Sequence, residues 1–146
     1  MSAQGLGLSI PLSIDSYDGP FALIKTQKDL VRQNVKMVVL TSPGERIGFP
    51  DFGVGLRSYL FENANEATTN ALKTRIQQQI QKYLPYVNLT DVIVSFGLTE
   101  QNVRNSQNRY LGDIEESPNR LNVQIIYYYA GNLNLSDNLF IEVASA

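Results

Sequence analysis

The sequence contains no histidine and no cysteine among its 146 residues. The absence of histidine removes the side chain that most often serves as general base, proton shuttle and metal ligand. Serine–histidine and cysteine–histidine catalytic arrangements are therefore excluded, as are zinc sites built from these residue types. Without cysteine there is neither a disulfide framework nor thiolate chemistry, which is typical of a protein that folds in a reducing cytosol.

Long apolar runs and clusters of positive charge are also missing. No run approaches the roughly 18 apolar residues that indicate a transmembrane helix, and the first residues lack the pattern of a signal peptide. The net charge is −2, and lysine and arginine form no basic cluster. We therefore expect neither membrane insertion nor direct binding of nucleic acid. A phosphate-binding Gly-Lys-Ser/Thr loop is absent as well, so no cofactor is expected.

The length of the chain and the spacing of its apolar residues predict one domain that contains both helices and strands. Apolar residues at helical spacing predict a first helix over residues 27–41, capped by Thr26, and a second over residues 66–84, capped by Asn63 or Asn65 and ended by Pro85. Alternating apolar residues predict strands within residues 21–25, 92–98 and 121–129. The polar stretch at residues 99–119 is interpreted as a solvated loop, with a partner contact as the alternative.

Both ends of the chain show the alternation of a strand outside this core. Residues 6–14 place Leu8, Ile10 and Leu12 at every second position, although Pro11 restricts such a strand to an edge or an extended arm. A disordered terminus is the alternative interpretation. The last piece alternates in the same way, at Leu139, Ile141 and Val143. Because unpaired strands recruit other chains, we interpret the two ends as arms for strand addition.

The segment between the two helices, residues 40–63, is rich in glycine, proline and aromatic residues. It is longer than the usual connection of about 4–6 residues, which indicates a compact loop with a defined shape. Pro43-Gly44 fits the central positions of a type II turn. Glu45, Asp51 and Glu62 are the carboxylates near this loop, and a pair of carboxylates is what glycoside hydrolysis needs. Each has a structural explanation, so we predict a docking site rather than an enzyme.

Three motifs in this segment carry a family resemblance. They are Thr41-Ser42-Pro43-Gly44-Glu45-Arg46, Pro50-Asp51-Phe52-Gly53 and Leu60-Phe61-Glu62-Asn63. Together with the order of helices and strands over residues 19–130, they resemble the gene product 25-like baseplate wedge family of contractile-tailed phages. Related proteins occur in type VI secretion and other contractile injection systems.

The resemblance implies a structural protein of the virion, located in the tail baseplate and assembled in the host cytoplasm. It implies docking on baseplate wedge proteins and initiation of the sheath by strand addition, with the tail sheath protein and tube-initiator or hub proteins as further partners. The alternatives are a lysozyme-like enzyme that cleaves peptidoglycan, a label the family has carried, and the equivalent component of a type VI or other injection system. One departure is Leu84-Pro85-Tyr86, where the family often has Glu-Pro-Arg.

The expected fold is therefore α+β, with two helices packed on a mainly antiparallel sheet and with extended arms at both ends, resembling the core domain of the sheath protein. The expected division is an arm at residues 1–18, a core at 19–130 and a strand-like tail at 131–146. The residues predicted to contact partners are Pro43, Gly44, Glu45, Arg46, Pro50, Phe52, Gly53, Arg57, Phe61, Tyr83, Leu84, Pro85, Tyr86, Leu8, Ile10, Leu12, Leu139, Ile141 and Val143.

Overall fold

A computed structural model describes residues 5–15, 19–97, 120–129 and 136–144. The predicted polar stretch at residues 99–119 lies outside the described residues. The elements, in chain order, are β1 (Gly7–Leu8), β2 (Leu23–Ile24), α1 (Gln27–Leu40), α2 (Leu56–Tyr59), α3 (Glu66–Tyr83), β3 (Val87–Phe96), β4 (Arg120–Tyr129) and β5 (Asp137–Ala144). The fold is mixed α and β with antiparallel sheets, as predicted.

Helix α1 begins and ends where its local chemistry predicts. The Thr26 hydroxyl accepts a hydrogen bond from the Asp29 amide and so satisfies one of the free donors of the first turn. Val31, Val35 and Val38 recur at helical spacing and are buried. The helix ends at Leu40, one residue before the predicted end, because Ser42 precedes a proline and cannot easily remain helical.

Helix α3 is likewise set by its own sequence. The Asn65 side chain caps it by accepting from the Thr68 amide, which selects Asn65 over the alternative Asn63. Leu72, Ile76 and Ile80 form its buried stripe. The helix ends at Tyr83, one residue before the predicted end. The short helix α2 lies in the loop between these helices and was not predicted, because four residues are too few for a periodic pattern.

The main sheet has three antiparallel strands in the order β3-β4-β5. Its inner face is built from rows of paired residues that lie side by side across the strands and form the core with the helices. These rows are Val92–Ile125–Leu139, Val94–Val123–Ile141 and Phe96–Leu121–Val143. Helix α3 packs on β3, and within the main sheet α1 contacts β5. No helix within the described residues is both long and apolar enough to span a bilayer.

The C-terminal alternation is a strand, but the prediction that it lies outside the core is wrong. β5 pairs along its whole length with β4 of the same chain. Leu139, Ile141 and Val143 are buried in the core, so their side chains cannot contact a partner in this structure. The physical reason is that their period of two continues the apolar inner face of β4. A core that ends at residue 130 would therefore leave the edge of β4 unpaired and would lack the part of the apolar inner face that β5 supplies.

The N-terminal segment is also paired within the chain, although only briefly. Gly7 and Leu8 face Ile24 and Leu23 in a two-stranded antiparallel ribbon. The side chains of Leu8 and Leu12 nevertheless remain exposed. An extended segment is confirmed, while a free arm along its full length is not what the structure shows.

Candidate docking surface

The first half of the loop between α1 and α3 is closed by its own backbone. The Glu45 amide donates to the Ser42 carbonyl at 3.1 Å, and Gly44 has a φ of 89°, so the predicted type II turn is present. The Glu45 carboxylate accepts from the Ser42 amide at 2.9 Å. The Gly44 amide donates to the Pro50 carbonyl at 2.8 Å and ties the two ends of this half together. Glu45 therefore has a structural role.

The second half of the loop is buried against the helices. The Gly53 amide donates to the buried Gln79 side chain at 2.9 Å, while the Gly53 carbonyl accepts from Arg75 at 3.2 Å. The Val54 amide donates to the Val38 carbonyl of α1 at 3.0 Å. Gly53 has a φ of 104°, and a Cβ there would lie 2.1 Å from the Thr41 carbonyl oxygen. Gly53 was predicted to contact partners, but it is buried and holds the loop instead.

Phe52 connects this loop to the end of α3. Its ring meets the Tyr83 ring edge to face, with centroids 4.8 Å apart, and the Arg46 guanidinium lies 4.0 Å from its centroid on another side. Phe52 is largely buried, and its predicted contact with a partner stays a prediction. Its ring also positions Arg46, which is exposed.

These contacts form one wall of a cavity of about 410 Å³, which we call the aromatic cleft. It is mostly apolar and is built from the N-terminal segment, α1, the loop and the end of α3. Its lining residues are Ile10, Gln33, Asn34, Met37, Val38, Arg46, Phe49, Phe52, Tyr83 and Leu84. The structure thus brings together five residues that the sequence predicted separately: Ile10, Arg46, Phe52, Tyr83 and Leu84.

Several predicted residues lie elsewhere. Phe61 follows α2 and is 79% exposed. Arg57 belongs to α2 and lines a different cavity. Pro43, Gly44, Glu45 and Pro50 are exposed at the tip of the loop, and Pro85 is exposed after α3. Tyr86 accepts a hydrogen bond from Asn34 at 2.9 Å.

The residue that the sequence interpretation missed most clearly is Phe49. It lines the aromatic cleft, and its side chain is 61% exposed, so it is available to a partner. Gln33 and Met37 were missed because they lie on α1, outside the loop. The signal that the sequence offered for Phe49 was an aromatic residue between the Pro43-Gly44 turn and Phe52.

Gln33 fastens the N-terminal segment to α1. Its side-chain oxygen accepts from the Ile10 amide at 2.9 Å, and its side-chain nitrogen donates to the Leu8 carbonyl at 3.0 Å. One amide side chain thus satisfies two backbone groups, in the way a neighbouring strand would. Ile10 is thereby placed at the rim of the aromatic cleft.

A second surface follows the outer edge of β5, which has no neighbouring strand among the described residues. At its start, the Arg32 guanidinium donates to the Asn138 carbonyl at 3.2 Å, and the Lys28 ammonium lies 3.5 Å from the Asp137 carboxylate. Farther along, Lys36, Leu40 and Arg57 line a cavity of about 430 Å³ together with residues 140–144. We call this cavity the β5 groove.

The start of β5 is held by a buried hydrogen bond. The Tyr127 hydroxyl donates to the Asp137 carboxylate at 3.0 Å. Burial, followed by the nearby Asp137 charge, raises the pKa of Tyr127 well above its ordinary value. The phenol is therefore neutral in the folded protein and remains a hydrogen-bond donor.

The carboxylates of the described residues do not form a site for a metal ion. Within the described ranges, no group of three or more Asp and Glu residues is arranged to hold one. Asp51 and Glu62 are exposed, and the Glu45 carboxylate accepts a hydrogen bond from the Ser42 amide.

Comparison with known proteins gives one family and one fold. The family model for the baseplate wedge protein gp25 matches residues 25–131, more than half of the chain. A crystal structure of a candidate tail lysozyme from Geobacter sulfurreducens is similar, with 20% identity and a TM-score of 0.60 over 84% of this chain and 95% of that one. The baseplate of the anti-feeding prophage contains a chain with 24% identity and a TM-score of 0.61, covering 87% of this chain and 86% of that one. No curated protein sequence matches significantly.

Proposed function

The chain belongs to the baseplate wedge protein gp25 family, and from this premise we propose that it is a non-catalytic part of a contractile-tail baseplate that docks on wedge proteins and starts the sheath by strand addition. Its location would be the baseplate of the virion, after assembly in the host cytoplasm. The observation that carries the proposal is the outer edge of β5, which pairs with no strand of the described residues.

The two edges of the main sheet differ in how well they accept a new strand. β3 has a register shift between Leu89 and Asp91, which leaves Thr90 as an extra residue and interrupts the edge. β5 pairs with β4 without any shift and contains no proline or lysine. Since natural edges are usually protected by bulges, proline or lysine, β5 has the edge that favours addition.

The Arg32 contact shows which backbone groups of β5 point outward. The Asn138 carbonyl accepts from Arg32, so it faces away from β4. Backbone groups alternate in direction along a strand, so Phe140 and Glu142 also present their amide and carbonyl groups outward. These groups are what an added strand of the tail sheath protein would bind. The addition would therefore use the edge of a folded strand rather than a free C-terminal arm.

The aromatic cleft is the proposed contact for wedge proteins. It joins an apolar floor with the exposed ring of Phe49 and the exposed guanidinium of Arg46, a combination of residue types that is enriched in protein interfaces. The N-terminal residues 6–14 remain a proposed second contact, since Leu12 and Ile14 are exposed. Tube-initiator or hub proteins are the other candidate partners for this face.

The test of strand addition uses Glu142→Pro against Glu142→Ala. Both variants lose the ion pair of Glu142 with Arg120, whose atoms lie 3.0 Å apart, but only proline removes the outward amide. Both proteins are first checked for folding by circular dichroism, and sheath assembly on baseplates is then followed by electron microscopy. We expect the proline variant to lose sheath attachment and the alanine variant to keep it. Normal sheaths on baseplates that carry the folded proline variant would refute the proposal.

The enzyme alternative is tested with purified protein and peptidoglycan. We expect no turnover, because the loop carboxylates are exposed and Glu45 is engaged by the Ser42 amide. Cleavage that is lost in Glu45→Gln or Asp51→Asn would overturn the non-catalytic assignment. Whether the particle is a phage tail, a type VI system or another injection system would be decided by the neighbouring genes.

A further inference from the structure

Helix α1 carries a row of positive charges that follows the edge of β5. Lys28, Arg32 and Lys36 are spaced by four residues, so they lie on one face of the helix. Lys28 and Arg32 already contact the first two residues of β5. Lys36 is the next in the row, and it reaches the β5 groove, where Arg57 from α2 joins it.

The side chains of Lys36 and Arg57 form no ion pair or hydrogen bond with any other residue of the described ranges. Glu142 also lines the β5 groove, but its carboxylate is bound to Arg120 at 3.0 Å. Among the residues that the structure describes, no other acidic residue lines this groove. The groove therefore offers two cations without counter-charges directly beside backbone groups that are free to pair.

We infer that the strand added to β5 carries one or two acidic side chains on the face that lies toward α1 and α2. This inference rests on the proposed strand addition and specifies its partner. Because α1 lies on the inner face of the sheet next to β5, every second side chain of an added strand would point toward that helix. A carboxylate at such a position would pair with Lys36 or Arg57, whereas a lysine or arginine there would be repelled.

The same charges discriminate against a second copy of this chain. Residues 5–14, the extended segment that a copy could offer, contain no charged residue. Such a segment would add to β5 without neutralising Lys36 and Arg57. The groove thus favours a foreign acidic strand over self-association through the N-terminal segment.

The test measures binding of the purified sheath subunit from the same system to the full chain. The variants are the double charge reversal Lys36→Glu/Arg57→Glu and the neutral pair Lys36→Gln/Arg57→Gln. Lys73→Glu serves as a control, because it reverses a charge of α3 that lines neither the β5 groove nor the aromatic cleft. We expect the charge reversal to weaken binding by about tenfold or more and the neutral pair to weaken it less. The control should bind like the unmodified chain.

A second readout is the dependence of binding on ionic strength. Raising the ionic strength from about 0.05 M to about 0.5 M should weaken binding of the unmodified chain, and this loss should be smaller in the neutral pair. Equal affinities of the unmodified chain and the folded double reversal would overturn the acidic-strand inference and leave strand addition standing. Absence of sheath binding to the unmodified chain at both ionic strengths would overturn strand addition and, with it, this inference.

Discussion

Alanine substitution at two glycines of the loop separates backbone strain from steric conflict. Gly44 and Gly53 both have positive φ angles, 89° and 104°. A Cβ at Gly44 meets nothing within 4 Å, whereas a Cβ at Gly53 would lie 2.1 Å from the Thr41 carbonyl oxygen. Gly44→Ala therefore measures the cost of the positive φ alone, about 1–2 kcal/mol. Gly53→Ala adds a clash with backbone at the end of α1, for which overpacking costs of about 1–3 kcal/mol are typical.

We expect Gly44→Ala to lower the free energy of unfolding by about 1–2 kcal/mol and Gly53→Ala to lower it by about 2–5 kcal/mol, the sum of the two terms. The measurement is urea unfolding followed by far-ultraviolet circular dichroism, with equal slopes as the check that both variants unfold in the same way. Melting temperatures should fall in the same order. Should the two substitutions cost the same within about 1 kcal/mol, the loop would not dock against α1 as described, and the aromatic cleft would lose its support.

Three further predictions concern the buried contacts. Gln79→Met should cost about 1–3 kcal/mol because it leaves the buried Gly53 amide without an acceptor; urea unfolding beside the exposed control Gln78→Met checks this, and equal stability of the two would contradict it. Folding raises the pKa of Tyr127 above its unfolded value of about 10. Its contribution to the free energy of unfolding is therefore complete below pH 10 and is lost as the pH rises further, because the unfolded state releases the phenol proton first. Tyr127→Phe should therefore make stability less dependent on pH above 10 in pH-resolved thermal melts, and an unchanged dependence would argue against its burial. Deletion of residues 137–146 should abolish the cooperative melt, since it removes Leu139, Ile141 and Val143 from the core; a folded truncation would restore the free-tail interpretation.

The structure changes the proposed role of the C-terminus more than that of the loop. The alternating residues of β5 were predicted to leave the domain and pair with other chains. Their side chains are instead buried in the core. The part of β5 that could pair with another chain is its backbone edge facing away from β4, which has no neighbouring strand among the described residues. A side-chain pattern cannot separate these cases, because both need one apolar face, and only the position of β4 decides between them.

The sequence by itself determined the local features of this protein. Thr26 caps α1, and Pro43-Gly44 makes its turn, through hydrogen bonds that span three residues. Such contacts need no distant partner, so their residue types are sufficient to predict them.

The tertiary structure alone decided which surfaces are available to other proteins. Phe52 and Phe49 are three residues apart in the same loop, yet one ring is buried against Tyr83 and the other is exposed. Likewise, Lys36 and Arg57 belong to different helices and meet only beside β5. These outcomes depend on residues distant in sequence, because burial and groove charge arise from packing between elements rather than from the chemistry of any single segment.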